Sequence, residues 1–268
     1  MNEITGKLNL DKSLIEKTDD LAHKDKVNVL ACAEKCNCGD YSCLEGRDGI
    51  FCLAVVLECL SHTKADYERL GIDEKVFYDT MSDIKIWCEN FGNKGLLNIN
   101  WIKNHLSCQL FRIGRLQFQF YICNNEFLDY ELLPFAPGEK LIYVHIPQGE
   151  KLVYADCVES IKNAVEFFKT YFPEYEYEFF FCESWLLYDD NWMFMERSSN
   201  ILEFSTLFDV MYSVDDDSQA IERIFGKRRK TAALYPSKTT LQKNVKAHLR
   251  KGGRLGVGIG IIDKQCFE

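Results

Sequence analysis

The stretch from Leu141 to Leu187, LIYVHIPQGEKLVYADCVESIKNAVEFFKTYFPEYEYEFFFCESWLL, decides the fold class. LIYVHIP is typical of a buried strand that Pro147 stops, and EYEFFFCESWLL is typical of a second strong strand. Apolar residues at helical spacing lie between them and predict a helix that ends at Pro173. A strand, a helix and a strand in this order predict a parallel pair joined by a right-handed crossover.

The chain before this unit has helical periodicity. The segment Ile50–Leu60 is apolar on nearly every side, as in a central helix, and a further helical stretch begins at Thr63. One helix face is predicted from apolar residues spaced by four and three positions, namely Phe77, Met81, Ile84, Cys88 and Phe91. We therefore expect a helical N-terminal domain over residues 1–105 and a domain of strands and helices over residues 106–268, so the chain is an α+β or α/β protein.

Strand periodicity begins directly after the helical region. In FRIGRLQFQFYI, alternate residues from Gly114 to Ile122 form an apolar face, and Arg115 lies on the polar face of the same predicted strand. Further on, ILEF and LFDVMYSV are predicted strands, a helix is expected from about Ser237 to Lys251, and RLGVGIGII closes the chain as a strand.

Charge and cysteine content restrict the class of protein. The net charge of −9 argues against a general nucleic-acid coat, although Lys227 to Arg254 contains ten Lys/Arg and no acidic residue. The twelve cysteines fit reduced thiols, and the CxxxCxCxxxxC spacing from Cys32 to Cys43 lacks the paired knuckles of a zinc site. The start lacks a signal-peptide core and Ile50–Leu60 is too short to span a membrane, so we expect a cytoplasmic protein without metal.

Polar side chains are expected to meet where the two parallel strands end. His145 follows the first strand, and Cys182, Glu183 and Ser184 end the second. Ligands of open α/β sheets bind at such ends, and an imidazole is the usual proton shuttle at neutral pH. The alternatives are a buried His145 satisfied by a backbone carbonyl, a Ser184 hydroxyl bonded to its own backbone, and Cys182 as a small apolar residue.

Two further features are candidates for ligand contacts. Gly256, Gly258 and Gly260 alternate along the closing strand, which suits either a close ligand or tight packing against a bulky group. Phosphate binding needs cations or free backbone amides, and Arg115 and the Lys227–Arg254 segment supply cations. A solvated charged face is the alternative for that segment.

An ordered series of motifs from about residue 65 onward resembles a known bacterial family. The motifs are DTMSDIKIW, NWIKNHL with LFRIGRLQF, YVHIPQG, ESWLL, YSVDDDSQAIERIFG and LQKNVKAHLRKGGRLGVGIGII. Members of this family pair a helical N-acyltransferase N-terminal domain with a GNAT-like C-terminal domain. The resemblance implies a GNAT-like mixed-sheet fold and acyl transfer from acyl-CoA. We expect the acceptor to be an amine or a hydroxyl.

Within this resemblance, His145 or Glu183 would deprotonate the acceptor, and Ser184 is a third candidate catalytic group. GNAT enzymes usually bind the CoA pyrophosphate with Q/R-x-x-G-x-G/A, whereas PQGEKLVYAD here offers Gln148 and the single Gly149. We therefore expect phosphate contacts from Gln148 and Gly149 together with four cations, Arg115, Arg250, Lys251 and Arg254. The reduced glycine loop leaves open a binding or regulatory protein that keeps the fold without CoA.

Overall fold

A computed structural model describes residues 3–267. Seven helices precede the first strand, which confirms the predicted helical N-terminal region. These helices are α1 (Glu3–Lys7), α2 (Lys12–Lys24), α3 (Lys26–Asn37), α4 (Gly49–Leu70), α5 (Glu74–Met81), α6 (Asp83–Asn90) and α7 (Ile99–Leu106).

Helix α4 is longer than the sequence predicted, because it unites the Ile50–Leu60 segment with the helical stretch from Thr63. The carboxylate of Asp48 caps its start by accepting hydrogen bonds from the backbone N–H groups of Ile50 and Phe51. Gly71 ends it in the left-handed conformation with a φ of 73°. No glycine or proline lies between Gly49 and Gly71 to break the helix.

The single helix predicted through Phe77 and Phe91 is wrong, since the chain forms α5 and α6 with a break at Ser82. Four of the five predicted inward positions are buried, Phe77 and Ile84 completely, whereas the fifth, Phe91, is exposed. The pattern identified the buried face but could not show the change of helix axis.

The strand predicted over FRIGRLQFQFYI is a hairpin of β1 (Leu110–Ile113) and β2 (Leu116–Ile122). Gly114 lies in the two-residue turn with a φ of 66°, while Arg115 does not have a positive φ. This is the Gly-X pattern of a type II′ hairpin. Arg115 is therefore buried in a turn rather than placed on the polar face of a strand.

The predicted strand–helix–strand unit is confirmed. Strand β3 (Lys140–His145) and strand β4 (Phe179–Ser184) are parallel, and α8 (Tyr154–Tyr171) connects them. Ile142 pairs with Phe180 and Tyr143 pairs with Phe181. Both strands continue beyond these pairs to His145 and Ser184.

Strand β5 (Asp209–Val214) and strand β6 (Val257–Asp263) complete a mixed six-stranded sheet of order β1-β2-β3-β4-β6-β5. Helix α9 (Asn200–Ser205) occupies the ILEF segment, so the predicted strand there is wrong. The Ser199 hydroxyl accepts from the backbone N–H of Ile201 and starts this helix. Two later helices are α10 (Ser218–Phe225) and α11 (Thr240–Arg250).

The chain divides into two compact units. The first contains the chain up to Gln119 with His145–Glu150 and Phe167–Pro173, and the second contains Phe120–Val144, Lys151–Glu166 and the chain from Glu174. The domain boundary after residue 105 remains a prediction. In the part of the chain that the structure describes, no helix is both long and apolar enough to cross a bilayer.

Candidate functional site

Glu183 lies on one face of the sheet in the second unit, among tyrosines. It pairs with Ile259 of β6, which also pairs with Tyr212 of β5, so Glu183 and Tyr212 share one row across three strands. Tyr143 donates a hydrogen bond from its hydroxyl to the backbone oxygen of Glu183, at 3.3 Å. The Tyr143 ring meets the Tyr121 ring edge-on, and the two ring centroids lie 5.3 Å apart.

This tyrosine-lined face has an apolar floor. The floor is a cluster of buried residues, namely Cys123, Leu128, Phe135, Leu141, Phe181, Ile259 and Ile261. Tyr121, Tyr143 and Tyr212 pack against that cluster while remaining partly buried. The backbone N–H of Asp129 donates to the Tyr212 hydroxyl at 2.8 Å, which fixes the segment after β2 against β5.

The environment of Glu183 favours its protonated form. Burial raises the pKa of the Glu183 carboxyl above its usual value, and the negative charge of Asp216 raises it further. Burial also raises the pKa of Tyr212, whose surroundings include the charge of Glu183. A carboxylate with a raised pKa is a stronger base than an ordinary one, so it suits general-base catalysis.

Cys182 and Ser184 point away from Glu183 along β4, as alternation requires. Cys182 is fully buried, and burial raises the pKa of its thiol. The Ser184 hydroxyl accepts from the backbone N–H of Leu186 at 3.2 Å and caps the turn Trp185–Leu187. This bond is the backbone contact that the sequence offered as the alternative to a catalytic hydroxyl.

The glycines of the closing strand pack against that turn. A Cβ atom on Gly258 would overlap the carbonyl group of Leu187, and one on Gly256 would overlap the Tyr188 ring. On Gly260, it would press on Leu187 and Phe208. Tight packing, rather than space for a ligand, is therefore the alternative that the structure adopts at these glycines.

His145 lies in the first unit and contacts Gln119 and Trp101. Its Nε2 atom is 2.8 Å from Gln119 Oε1, and its ring meets the Trp101 ring edge-on at 4.8 Å. Burial lowers the pKa of His145 to about 3, and electrostatic interaction with His105 lowers it as well. The imidazole is therefore neutral at pH 7 and a weak base.

A buried polar network that the sequence analysis missed lies beside His145. Asp83 Oδ2 accepts from Trp101 Nε1 at 2.6 Å and from His105 Nε2 at 3.1 Å. The carbonyl of Trp101 lies 3.2 Å from His105 Nδ1, so both ring nitrogens face acceptors. Burial opposes ionisation of Asp83, but its bond to His105 prevails and lowers the pKa of that carboxyl.

The sequence carried a signal for this network. His105 lies between the apolar positions Ile102 and Leu106, and Asp83 directly precedes Ile84. A charged or polar residue on an apolar helix face is buried only with a partner, so two such residues could have been paired.

Arg115 holds the segment that follows β3 in the first unit. Its Nη1 atom donates to the carbonyl of Pro147 at 3.0 Å, and its Nη2 atom donates to the carbonyl of Glu150 at 2.9 Å. These carbonyls flank Gln148 and Gly149, so three predicted cofactor-binding residues lie together. Gln148 also accepts a hydrogen bond from Asn90 at 2.6 Å, and Gly149 has a φ of 110° in open space.

The remaining predicted cations lie at the end of α11 in the second unit. Arg250 and Lys251 are exposed at the carboxyl end of that helix. Arg254 forms an ion pair with Asp215, whose carboxylate also accepts from the Tyr188 hydroxyl at 2.7 Å. The described residues contain no group of three or more His, Cys, Asp or Glu arranged to hold a metal ion.

Solved structures share this fold. The chain is similar to an acyltransferase in complex with decanoyl-CoA and teicoplanin, with a TM-score of 0.77 and 21% sequence identity. The match covers 96% of this chain and 85% of that chain. It is also similar to an acyltransferase in complex with decanoyl-CoA, with a TM-score of 0.78, 19% identity, and coverage of 97% and 86%. An acyltransferase mutant in complex with octanoyl-CoA gives a TM-score of 0.76 at 19% identity, with coverage of 96% and 85%.

Family models cover nearly the whole chain. The N-acyltransferase N-terminal domain matches residues 2–108, and the GNAT-like C-terminal domain matches residues 110–262. No curated protein matches the chain. The predicted resemblance is thus confirmed, and the chain belongs to the family that joins an N-acyltransferase N-terminal domain to a GNAT-like C-terminal domain.

Proposed function

We propose that this protein transfers an acyl group from acyl-CoA to an amine or hydroxyl of a small acceptor. The family and the fold shared with acyl-CoA-bound acyltransferases support the reaction class. The observation that carries the proposal is the half-buried Glu183 with its raised pKa on a tyrosine-lined face. Its position at the carboxyl end of β4 is where open α/β sheets bind ligands.

In the proposed reaction, the Glu183 carboxylate accepts a proton from the acceptor amine or hydroxyl. The nucleophile then attacks the thioester carbonyl carbon, and backbone amides stabilise the oxyanion that forms. The carbon–sulfur bond breaks as the intermediate collapses, and the CoA thiolate leaves and takes up a proton. We place Glu183 ahead of His145 as the base because the pKa of His145 is far below neutral.

Arg115 has a positioning role in this proposal. The two carbonyls that accept from it, those of Pro147 and Glu150, point toward its guanidinium. In a trans peptide the next N–H points the opposite way, so the amide of Gln148 is directed away from Arg115. An amide oriented in this way suits a phosphate oxygen, and it would replace part of what the missing glycines supply in other GNAT enzymes.

We assign Arg250 and Lys251 a supporting role in binding CoA phosphates. Both are exposed, and cations contribute charge-assisted contacts to phosphate oxygens. Arg254 already pairs with Asp215, so its contribution would be smaller. We also propose a cytoplasmic location, which fits the twelve free cysteines.

A donor screen tests the proposed function. Thermal unfolding is followed with CoA, acetyl-CoA, octanoyl-CoA and decanoyl-CoA, because a ligand of the native state raises the melting temperature by mass action. Release of the CoA thiol is then measured with the best donor and a panel of amines and alcohols. We expect saturable stabilisation by at least one acyl-CoA and acceptor-dependent thiol release.

The same screen decides the alternative of a binding protein without CoA, which the single glycine of PQGEKLVYAD motivates. If neither CoA nor any of the three acyl-CoA thioesters showed saturable binding, the enzyme hypothesis would be removed. Binding without turnover for any acceptor class would leave a CoA-binding regulatory protein.

A further inference from the structure

The first unit contains a cavity of 720 Å³ that the proposed acyl transfer does not use. One wall is the connection between α3 and α4, from Gly39 to Arg47, and the other is formed by residues from Leu97 to Ser107. This volume lies within the range of about 300–1,000 Å³ that is usual for small-molecule sites.

The two walls are fixed to each other by backbone contact. Gly49 opens α4, and its carbonyl accepts from the backbone N–H of Leu96 at 2.9 Å. A Cβ atom on Gly95 would overlap the backbone of Gly49, and Gly95 has a φ of 92°. The close approach therefore requires glycine, and the cavity is formed before any ligand arrives.

The lining offers many hydrogen-bonding groups over a small apolar base. Asn98, Asn100 and Asn104 contribute side-chain amides, each of which can both donate and accept. Asn98 occupies the N-cap position of α7 yet makes no side-chain capping bond, which leaves its amide available to a ligand. The Ser42 hydroxyl donates to the Asp40 carboxylate at 2.6 Å, so it is the three amides that make the cavity suit a ligand rich in hydroxyls.

The charges of the lining favour an anion. Arg47 and Lys103 line the cavity together with a single acid, Glu45. Within residues 3–267 neither cation forms an ion pair. The Arg47 guanidinium lies 4.8 Å from the centroid of the Phe51 ring, and a guanidinium stacked in this way keeps its in-plane N–H groups directed sideways.

We propose that this cavity is a binding site for a small, hydroxyl-rich molecule that carries a carboxylate or a phosphate group. The asparagine amides would bind its hydroxyls, and Arg47 and Lys103 would bind its anionic group. The site is separate from the proposed acyl transfer, since none of the residues that line it is assigned to the reaction or to CoA binding.

Calorimetric titration of the full chain with three probes tests this site. Glucose 6-phosphate carries a phosphate, glucuronate carries a carboxylate, and glucose carries neither. We expect saturable binding of one or both anions, with affinity that falls as salt is added, and much weaker binding of glucose. Arg47→Met and Lys103→Met should each weaken that binding about tenfold or more, since a hydrogen bond to a charged group is lost. Lys26→Met is the matched control, because Lys26 is exposed on α3 and does not line the cavity.

Each other result would overturn the proposal. Equal binding of glucose and the anions would exclude anion recognition, and no saturable binding of any probe would exclude the ligand class. Anion binding that survives in both cavity variants would place the anion elsewhere. Because CoA is absent from the titration, its outcome does not depend on the proposed acyl transfer.

Discussion

His145 Nε2 lies 2.8 Å from Gln119 Oε1, so the imidazole donates its proton to an amide oxygen and remains neutral. The folded pKa of about 3 lies below the value of 6.5 for an unperturbed histidine. The unfolded chain therefore binds the proton first, and the stability from the neutral ring is complete above pH 6.5 and is lost as the pH falls toward 3.

We expect the wild-type protein to lose about 2 kcal/mol more unfolding free energy between pH 7 and pH 5 than His145→Gln. Urea denaturation at the two pH values measures this difference. Equal losses in both proteins would mean that His145 is protonated in the native state, contrary to its surroundings.

Asp83→Asn should be strongly destabilising, because it removes the only carboxylate that His105 contacts within residues 3–267. A buried hydrogen bond to a charged group contributes about 1.5–3 kcal/mol, and the Asp83 carboxylate accepts from both Trp101 and His105. Asp79→Asn is the control on the preceding helix, where the exposed pair with Lys75 contributes about 0–1 kcal/mol. If both substitutions lowered the unfolding free energy equally, the Asp83–His105 pair would carry no structural role.

Gly258→Ala tests the packing of the closing strand. The added methyl group would overlap the Leu187 carbonyl, so we expect a loss of about 1–3 kcal/mol or more in unfolding free energy. Gly6→Ala is the control, because nothing lies within 4 Å of the added atom and the residue is helical. Alanine there should be neutral or slightly stabilising. A tolerated alanine at position 258 would reopen the ligand interpretation of this strand.

The parallel strand–helix–strand unit could be predicted because its signals are local: two apolar strands, an amphipathic helix, and proline at two ends. The hairpin through Gly114 could not, since β1 and β2 keep one alternating pattern across a two-residue turn. The burial of Arg115 also depends on carbonyls more than thirty positions away, which no local pattern encodes. Tertiary contacts of this kind decide which polar residues are available to a ligand.

Glu183 illustrates the same limit for the site. Its type and its place at the end of β4 were predicted, but the row that it shares with Tyr212 depends on the register of β6. That register brings together residues from distant parts of the chain, and it gives Glu183 the burial that raises its pKa.

Glu183→Gln should lower acyl transfer by about 10²–10⁴-fold while CoA binding persists, because a neutral amide cannot accept the proton. In the wild type, kcat/KM should fall at low pH with a midpoint above 4.5, the usual value for this carboxyl, since its folded pKa is raised. Glu178→Gln, on an exposed residue just before β4, is the control and should leave the rate unchanged. An unchanged rate in Glu183→Gln would remove Glu183 from the proposed reaction.

Lys251→Glu should weaken CoA binding if the cations at the end of α11 contact its phosphates. Lys251 is exposed, and its charge lies at the carboxyl end of the helix. We choose it over Arg254 because replacing Arg254 would leave Asp215 without its ion-pair partner. The loss of affinity should be larger at about 0.05 M salt than at about 1 M salt, because screening shortens the range of the charge to about 3 Å. Lys162→Glu makes the same change of charge at an exposed residue of α8, so it is the control for net charge alone. Calorimetry at both salt concentrations measures the CoA affinity of the wild type and of the two variants. Equal weakening in both would reduce the effect to the overall charge of the protein and would remove Lys251 from the proposed cofactor site.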